Sequence, residues 1–424
     1  MIDRPNGSHG DEVLSRSLDM DAVTAHLDRG WDLLSRGDLA GARVSANHIL
    51  QHDAESPEGF ALLGAIAREE GEAEEAVELF QKALDADPDY VDAMLHGADV
   101  AIHDLGDLER GLRLVDEAEE LLEPDDEESA EVWLLRAEAA LLGGDLEAAR
   151  RPTDAVAARR IFADPRMYLR AGRLMIDTGR IDVAVDYLER AIEHEPSRID
   201  GHYFLGLALD AIDPRRALAH LYEAHRLDGE LELPPWMPPL EELETTTRAV
   251  VEELGEPLGP LLRRVPLRVA EQAPLELVAE GHDPRMAVYL AGIPAGYGDA
   301  LDAVRSALPG AGAGAGVPEG GRAKRKTKGV KQVSKAKAKA KAKRDGDGAT
   351  DGAADGVSPE SAELFAVFVY RRSVAYWAAR PDDLAREIER AFIIEGAFFF
   401  GFDDATVEAM LERCEGISLR PTVR

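Results

Sequence analysis

The sequence predicts a mostly α protein: an α-solenoid of repeated helical hairpins, then a small α+β domain split by a low-complexity insert. Three observations carry that expectation. Small and large apolar residues recur at about 34-residue spacing through the first half. That pattern stops at Pro234-Pro235-Trp236-Met237-Pro238-Pro239, which no helix can cross, because each proline lacks a backbone donor and clashes with the preceding turn. Beyond it, short Val- and Phe-rich runs alternate with helical patterns, and an Ala/Gly/Lys tract interrupts them.

Composition bounds the answer. The 424 residues suit two or three domains. An apolar share of 45% and a charged share of 31% are those of a globular chain. The net charge of −33 makes the folded bulk repel nucleic acid and anionic membrane. One region inverts the sign: Arg322 to Arg344 holds twelve positive charges and no acid. The single cysteine, Cys414, excludes an internal disulfide framework and a multi-cysteine metal centre. No apolar run approaches the roughly 18–20 residues of a membrane span. Met1-Ile2-Asp3-Arg4-Pro5-Asn6 has no hydrophobic signal segment, so a cytoplasmic location is expected.

The repeat is clearest from Pro57 to Pro88. Phe60, Leu63, Gly64 and Ala67 precede a turn at Gly71; Ala76, Phe80 and Ala83 follow it. This reads as two antiparallel helices of about fourteen residues, with Gly64 and Ala76 small where the helices cross. Gly30 and Ala42 stand 34 residues earlier. Tyr168, Gly172, Gly179, Ala184, Leu188 and Pro196 repeat the pattern, and Gly206 with Leu209, Ala217 and Leu221 opens a last copy whose second helix starts one residue early. Two weaker copies lie around Met94–Pro124 and Trp133–Ala149. The array, over residues 22–228, resembles the tetratricopeptide repeat (TPR) family. That resemblance implies a superhelical groove for a peptide or protein partner; the alternative is a rigid scaffold only. The groove candidates, from the first helix of each pair, are Trp31, Arg68, Arg173 and Tyr203. The acids from Glu69 to Glu75 read as a solvated turn.

After the proline-rich linker at 229–239, Leu240 to Leu254 reads as a helix. Val265–Val269 reads as a strand whose proline favours an edge, Met286–Leu290 as a second strand, and Leu364–Tyr370 as the clearest one. Pro381-Asp382-Asp383 starts a helix running to about Phe400, its acids favoured by the helix dipole. The domain thus occupies 240–307 and 361–415 and is followed by a tail at 416–424, while a flexible segment at 1–21 precedes the repeats. Residues 308–360 cannot bury a core and are expected to be disordered. The aspartates after Asp345 do not make a calcium loop, since Gly356 stands where a bidentate glutamate belongs. Lys324–Lys343 has no aromatic residue to stack on bases, so it holds nucleic acid electrostatically or simply keeps the segment solvated.

The last long helix reads Ile394-Glu395-Gly396-Ala397-Phe398-Phe399-Phe400-Gly401-Phe402-Asp403-Asp404. It resembles the small bacterial zincin-like metallopeptidases, whose motif is HExxHHxGxxD, over about 120 residues outside the insert. The resemblance makes Glu395 the counterpart of the general base, Gly401 the turn and Asp404 the third metal ligand. It departs where chemistry is decided: Ile394 and Phe398 replace the two zinc-binding histidines, Phe399 replaces the next, and His282 is the last histidine of the chain. Glu395 and Asp404 alone make a poor zinc site. The expectation is therefore a catalytically inactive module with no metal and no cofactor, its apolar side chains filling the space a metal would take.

Other candidates are weaker. His48 and His52 lie one helical turn apart with no third ligand beside them in sequence, and read as surface histidines. His220 and His225 share a face poorly, Cys414 lacks a catalytic context, and no GxxxxGK[ST] phosphate loop occurs. The expected function is non-enzymatic: a scaffold or adaptor for a protein partner. The alternatives are a divergent metal-dependent peptidase and a nucleic-acid-associated adaptor acting through the lysine tract.

Overall fold

The computed structural model describes residues 23–123, 128–159, 162, 165–295, 362–378 and 380–413. The expectations for 1–21, 308–360 with its lysine tract, Cys414 and 416–424 lie outside the described residues. The chain divides into two compact units, Met1–Pro196 and Ser197–Arg424.

The first unit is a stack of helical hairpins. Helix α1 spans residues 23–35. It is followed by α2 (Leu39–His52), α3 (Pro57–Glu69), α4 (Ala73–Ala86), α5 (Val91–His103) and α6 (Leu108–Leu121). Then come α7 (Ser129–Leu142), α8 (Leu146–Ala158), α9 (Arg166–Asp177) and α10 (Ile181–His194). Local chemistry sets the helix starts. Ser56 caps α3 through the Gly59 amide with Pro57 at its first position, and Asp38, Asp107 and Asp145 cap α2, α6 and α8 in the same way. Each hairpin turns on a glycine with positive φ, at 37, 71, 106, 144 and 179. Their intervals of 34, 35, 38 and 35 residues show why the middle copies drift: the extra residues lie in the connections, and the hairpins themselves are kept.

Close crossing explains the small residues. A Cβ on Gly64 would lie 3.0 Å from the Phe80 ring, and one on Gly172 would lie 2.6 Å from Leu188 Cγ. Phe80 and Leu188 are each sixteen residues on from their glycine and are fully buried in the opposing helix.

The second unit opens with another such hairpin, α11 (Ile199–Leu209) and α12 (Pro214–Glu230), where Gly206 meets Leu221 fifteen residues on. The proline-rich stretch ends α12 and precedes α13 (Leu240–Glu253), yet it is packed: Met237 is buried in the core of the α+β domain. That domain continues with α14 (Leu258–Leu262), β1 (Leu267–Ala270), α15 (Leu275–Ala279), β2 (Val288–Ile293) and β3 (Glu363–Tyr370). It ends with α16 (Arg371–Trp377), a 3-10 turn at Pro381–Asp383, α17 (Leu384–Phe400) and α18 (Asp404–Leu411). The sheet order is β1-β3-β2, with β1 parallel and β2 antiparallel to β3. Pro266 stands just before edge strand β1, where its carbonyl still accepts from Val367. Val367 and Val369 of the central strand pack with Leu243 of α13 and with Ile388 and Phe392 of α17.

Gly172→Val places branched carbon where Leu188 already sits. We expect it to cost about 1–3 kcal/mol, as overpacking of a close-packed core does, read as a lower thermal midpoint. Lys82→Ala, at an exposed position away from the crossings, should leave the midpoint unchanged.

Candidate functional site

The first helices of successive hairpins present a row of charges. Arg68 of α3 donates through Nε to Asp104 Oδ2 at 2.9 Å and through Nη1 to Asp99 Oδ2. Arg170 of α9 donates through Nη2 to Asp99 Oδ1 at 2.7 Å and Glu138 Oε2 at 2.6 Å. His103, one turn after Asp99 in α5, places Nδ1 2.9 Å from Asp99 Oδ1 and Nε2 3.3 Å from Glu138 Oε2. Arg170 thus reaches past α7 to α5. Packed helix axes stand about 8–10 Å apart, so two spacings exceed an arginine's reach unless the first helices converge on this side. Trp31 of α1 repeats the observation: its ring lies 5.8 Å from that of His96 on α5. The charged row therefore lies on the face where the first helices of the first unit approach one another.

Burial and pairing set the protonation states. Burial disfavours ionised Asp99, but the Arg170 and Arg68 guanidinium groups overcome it and hold its carboxyl well below the usual range. Glu138 is likewise held down, to about 2, by Arg170 and by its hydrogen bond to His103. Burial works against charged His103, yet its bonds to Asp99 and Glu138 raise its pKa to about 9. Asp104 shows the reverse balance, pushed up by burial in spite of Arg68.

Asp99, His103 and Glu138 bring ligand atoms within 4.8 Å of one another, a set that sequence reasoning missed because α5 and α7 contribute separately. Arg170 bridges the two carboxylates and His103 lies between them, so the acids of this set are already paired with cationic side chains.

The sequence-named groove residues fare differently. Trp31 is half-buried against His96, Arg68 is engaged by Asp99 and Asp104, and Arg173 is half-buried on α9. Tyr203 is corrected: it is only 6% exposed, and its hydroxyl donates to Asp283 Oδ2 at 2.8 Å. Its ring packs at 4.6 Å under the guanidinium of Arg285, which is itself buried. Arg285 donates to Asp200 Oδ1 at 2.6 Å and Asp228 Oδ2 at 2.9 Å, and Tyr376 stacks on it at 4.0 Å. A buried cation between two aspartates and two rings explains why Tyr203 turns inward.

In the α+β domain, α17 ends at Gly401 in the left-handed conformation, and Asp403 caps α18 through the Thr406 amide. Glu395 is half-buried and Asp404 exposed at the first position of α18. Ile394 and Phe398, one turn apart, are 36% and 48% exposed, so they do not fill interior space as expected; Phe399 is the buried one. Ile394 and Phe398 carry no donor atom, which leaves two carboxylates and no imidazole. These residues do not fit a zinc centre.

A family profile described as tetratricopeptide repeat matches residues 57–90 and 165–198, and one described as zincin-like metallopeptidase matches 348–413. Among solved structures, the chain is similar to Pseudomonas aeruginosa pilF at 18% identity, covering 49% of this chain and 93% of that one, with a TM-score of 0.39. It is similar to TTC0263, a thermophilic TPR protein of Thermus thermophilus, at 21% identity, covering 44% and 98%, with a TM-score of 0.38. It is also similar to YrrB, a TPR protein with an unusual peptide-binding site, at 16% identity, covering 44% and 93%, with a TM-score of 0.30. The comparison with curated proteins found no match. The chain carries tetratricopeptide repeats and a zincin-like C-terminal region.

Two outcomes are expected. A proton on His103 stabilises the fold fully below its ordinary pKa of 6.5, and this contribution is lost as pH rises through about 9. It is on the order of 3 kcal/mol. Urea unfolding from pH 6 to 9.5 should show that decline, and His103→Gln should flatten it. Arg285→Ala leaves buried Asp200 and half-buried Asp228 without their cation and should cost roughly 3–5 kcal/mol in the same assay.

Proposed function

We propose that the chain is a non-enzymatic interaction scaffold whose repeats hold a protein or peptide partner on their inner side, joined to a zincin-like module without peptidase chemistry. The observation that carries this reading is α17. At the two positions one turn apart where the resemblance asks for metal-binding imidazoles stand Ile394 and Phe398, and no histidine follows His282. Glu395, the counterpart of the general base, has no metal-bound water to deprotonate there. What this leaves is recognition. Stacked hairpins expose an extended face, and here that face carries Trp31, Arg68 and Arg173 beside the Asp99 and Glu138 carboxylates.

The mixed charge of the face selects partners. Arg68 and Arg170 keep 28% and 25% of their side chains exposed, against 13% for Asp99 and 12% for Glu138. The arginines are thus the members a partner meets first, and acidic or carboxylate-bearing segments are the natural ligands.

The test has two arms. Hydrolysis of unstructured protein substrate with added zinc should be absent and unaffected by Glu395→Gln; hydrolysis abolished by that substitution overturns the inactive-module reading. Partners co-purified with the full chain should be released by Trp31→Ala and Arg173→Glu with helicity unchanged. Partners lost only on deletion of residues 322–344, with steep salt dependence, would assign the interaction to the lysine tract.

A further inference from the structure

His48 and His52 lie one turn apart in α2, so their rings leave the same face of the helix. The antiparallel partner α1 supplies a third imidazole. Gly30 of α1 rests against Ser45 of α2, where a Cβ on the glycine would lie 3.3 Å from that of the serine. One turn back from Gly30 stands His26, and one turn on from Ser45 stands His48. Antiparallel packing therefore sets the two side by side. Their rings stack with centroids 4.8 Å apart and planes 20° from parallel. His52 lies one turn beyond His48 on that face of α2, at the end of the helix.

We propose that His26, His48 and His52 form a binding site for a divalent transition ion of the Zn2+, Ni2+ or Cu2+ class, held between α1 and α2.

The chemistry of the donors fits that class. Imidazole nitrogen is the ligand these borderline ions favour, and it binds only when neutral. His52 is the last residue of α2, where the carbonyl end of the helix favours a cation. His48 and His52 are exposed and His26 is partly so, which lets the rings rotate onto an ion without disturbing the core and leaves water to complete the coordination. Arg29 is the nearby cation such an ion must tolerate. The site rests on none of the partner-binding argument.

Two other histidine groups make the test discriminating. His202 and His220 face each other with Nδ1 atoms 3.0 Å apart, and His103 sits among Asp99 and Glu138. The experiment is equilibrium dialysis of the untagged full chain against each of the three ions alone, with bound metal read by mass spectrometry. One ion per chain is expected. His26→Ala, His48→Ala and His52→Ala should each weaken binding by at least the roughly tenfold that loss of even an outer-shell partner costs. His202→Gln should leave it unchanged. Copper-loaded protein should show several nitrogen couplings in its electron paramagnetic resonance spectrum, reduced in number by each alanine. Absence of binding by the wild-type chain overturns the proposal. So does binding that survives the triple substitution, or affinity that His26→Ala leaves intact; circular dichroism shows that the variants remain folded.

Discussion

Each hairpin rests on one steric constraint: where the second helix offers a large side chain, the first must offer none. Phe80 lies against Gly64, Leu188 against Gly172 and Leu221 against Gly206. The apposition lets two helices approach closely, and close approach buries the apolar stripe that neither helix can hide alone. Because the crossing recurs at nearly constant spacing, the first helices come to lie next to one another, and everything on the inner side follows from their adjacency.

That adjacency is what allows buried charge. An isolated Asp99 inside the array would be costly, since its hydration is lost without compensation. Arg68 from the hairpin before and Arg170 from two hairpins after converge on it, with His103 from its own helix. The ion network ties α3, α5, α7 and α9 to one relative placement, because Arg170 and His103 each satisfy acids on both α5 and α7 and Arg68 reaches from α3 to Asp99 and Asp104. Arg285 does the same within the second unit, where Asp200, Asp228, Tyr203 and Tyr376 meet around one guanidinium. Buried pairs of this sort add little net stability over apolar packing, and their effect is to specify the arrangement.

Helix α17 is held by packing and by its termini. Ile388, Phe392 and Phe400 bind it to the sheet and to α13, and Gly401 and Asp403 turn the chain at its end. None of these contacts requires a metal. With Ile394 and Phe398 exposed one turn apart, the helix keeps its packing face and presents apolar surface on the other side.

The sequence alone determined the repeat, its glycine turns, the strands and the absence of histidine after His282, because these are local matters of period, backbone freedom and residue identity. Gly64, Pro57, Gly71 and Ile394 could be read in place, one at a time. Only the tertiary structure decided which polar side chains meet. Asp99, Glu138 and Arg170 are separated by up to 71 residues, and His26 stands 22 residues from His48. Tyr203 has the repeat position of a groove residue but turns inward, since Arg285 and Asp283 arrive from a distant part of the chain. Periodicity specifies the face of a helix on which a residue lies; what covers that face is set by hairpin pairing and curvature, which bring remote charges within hydrogen-bonding distance.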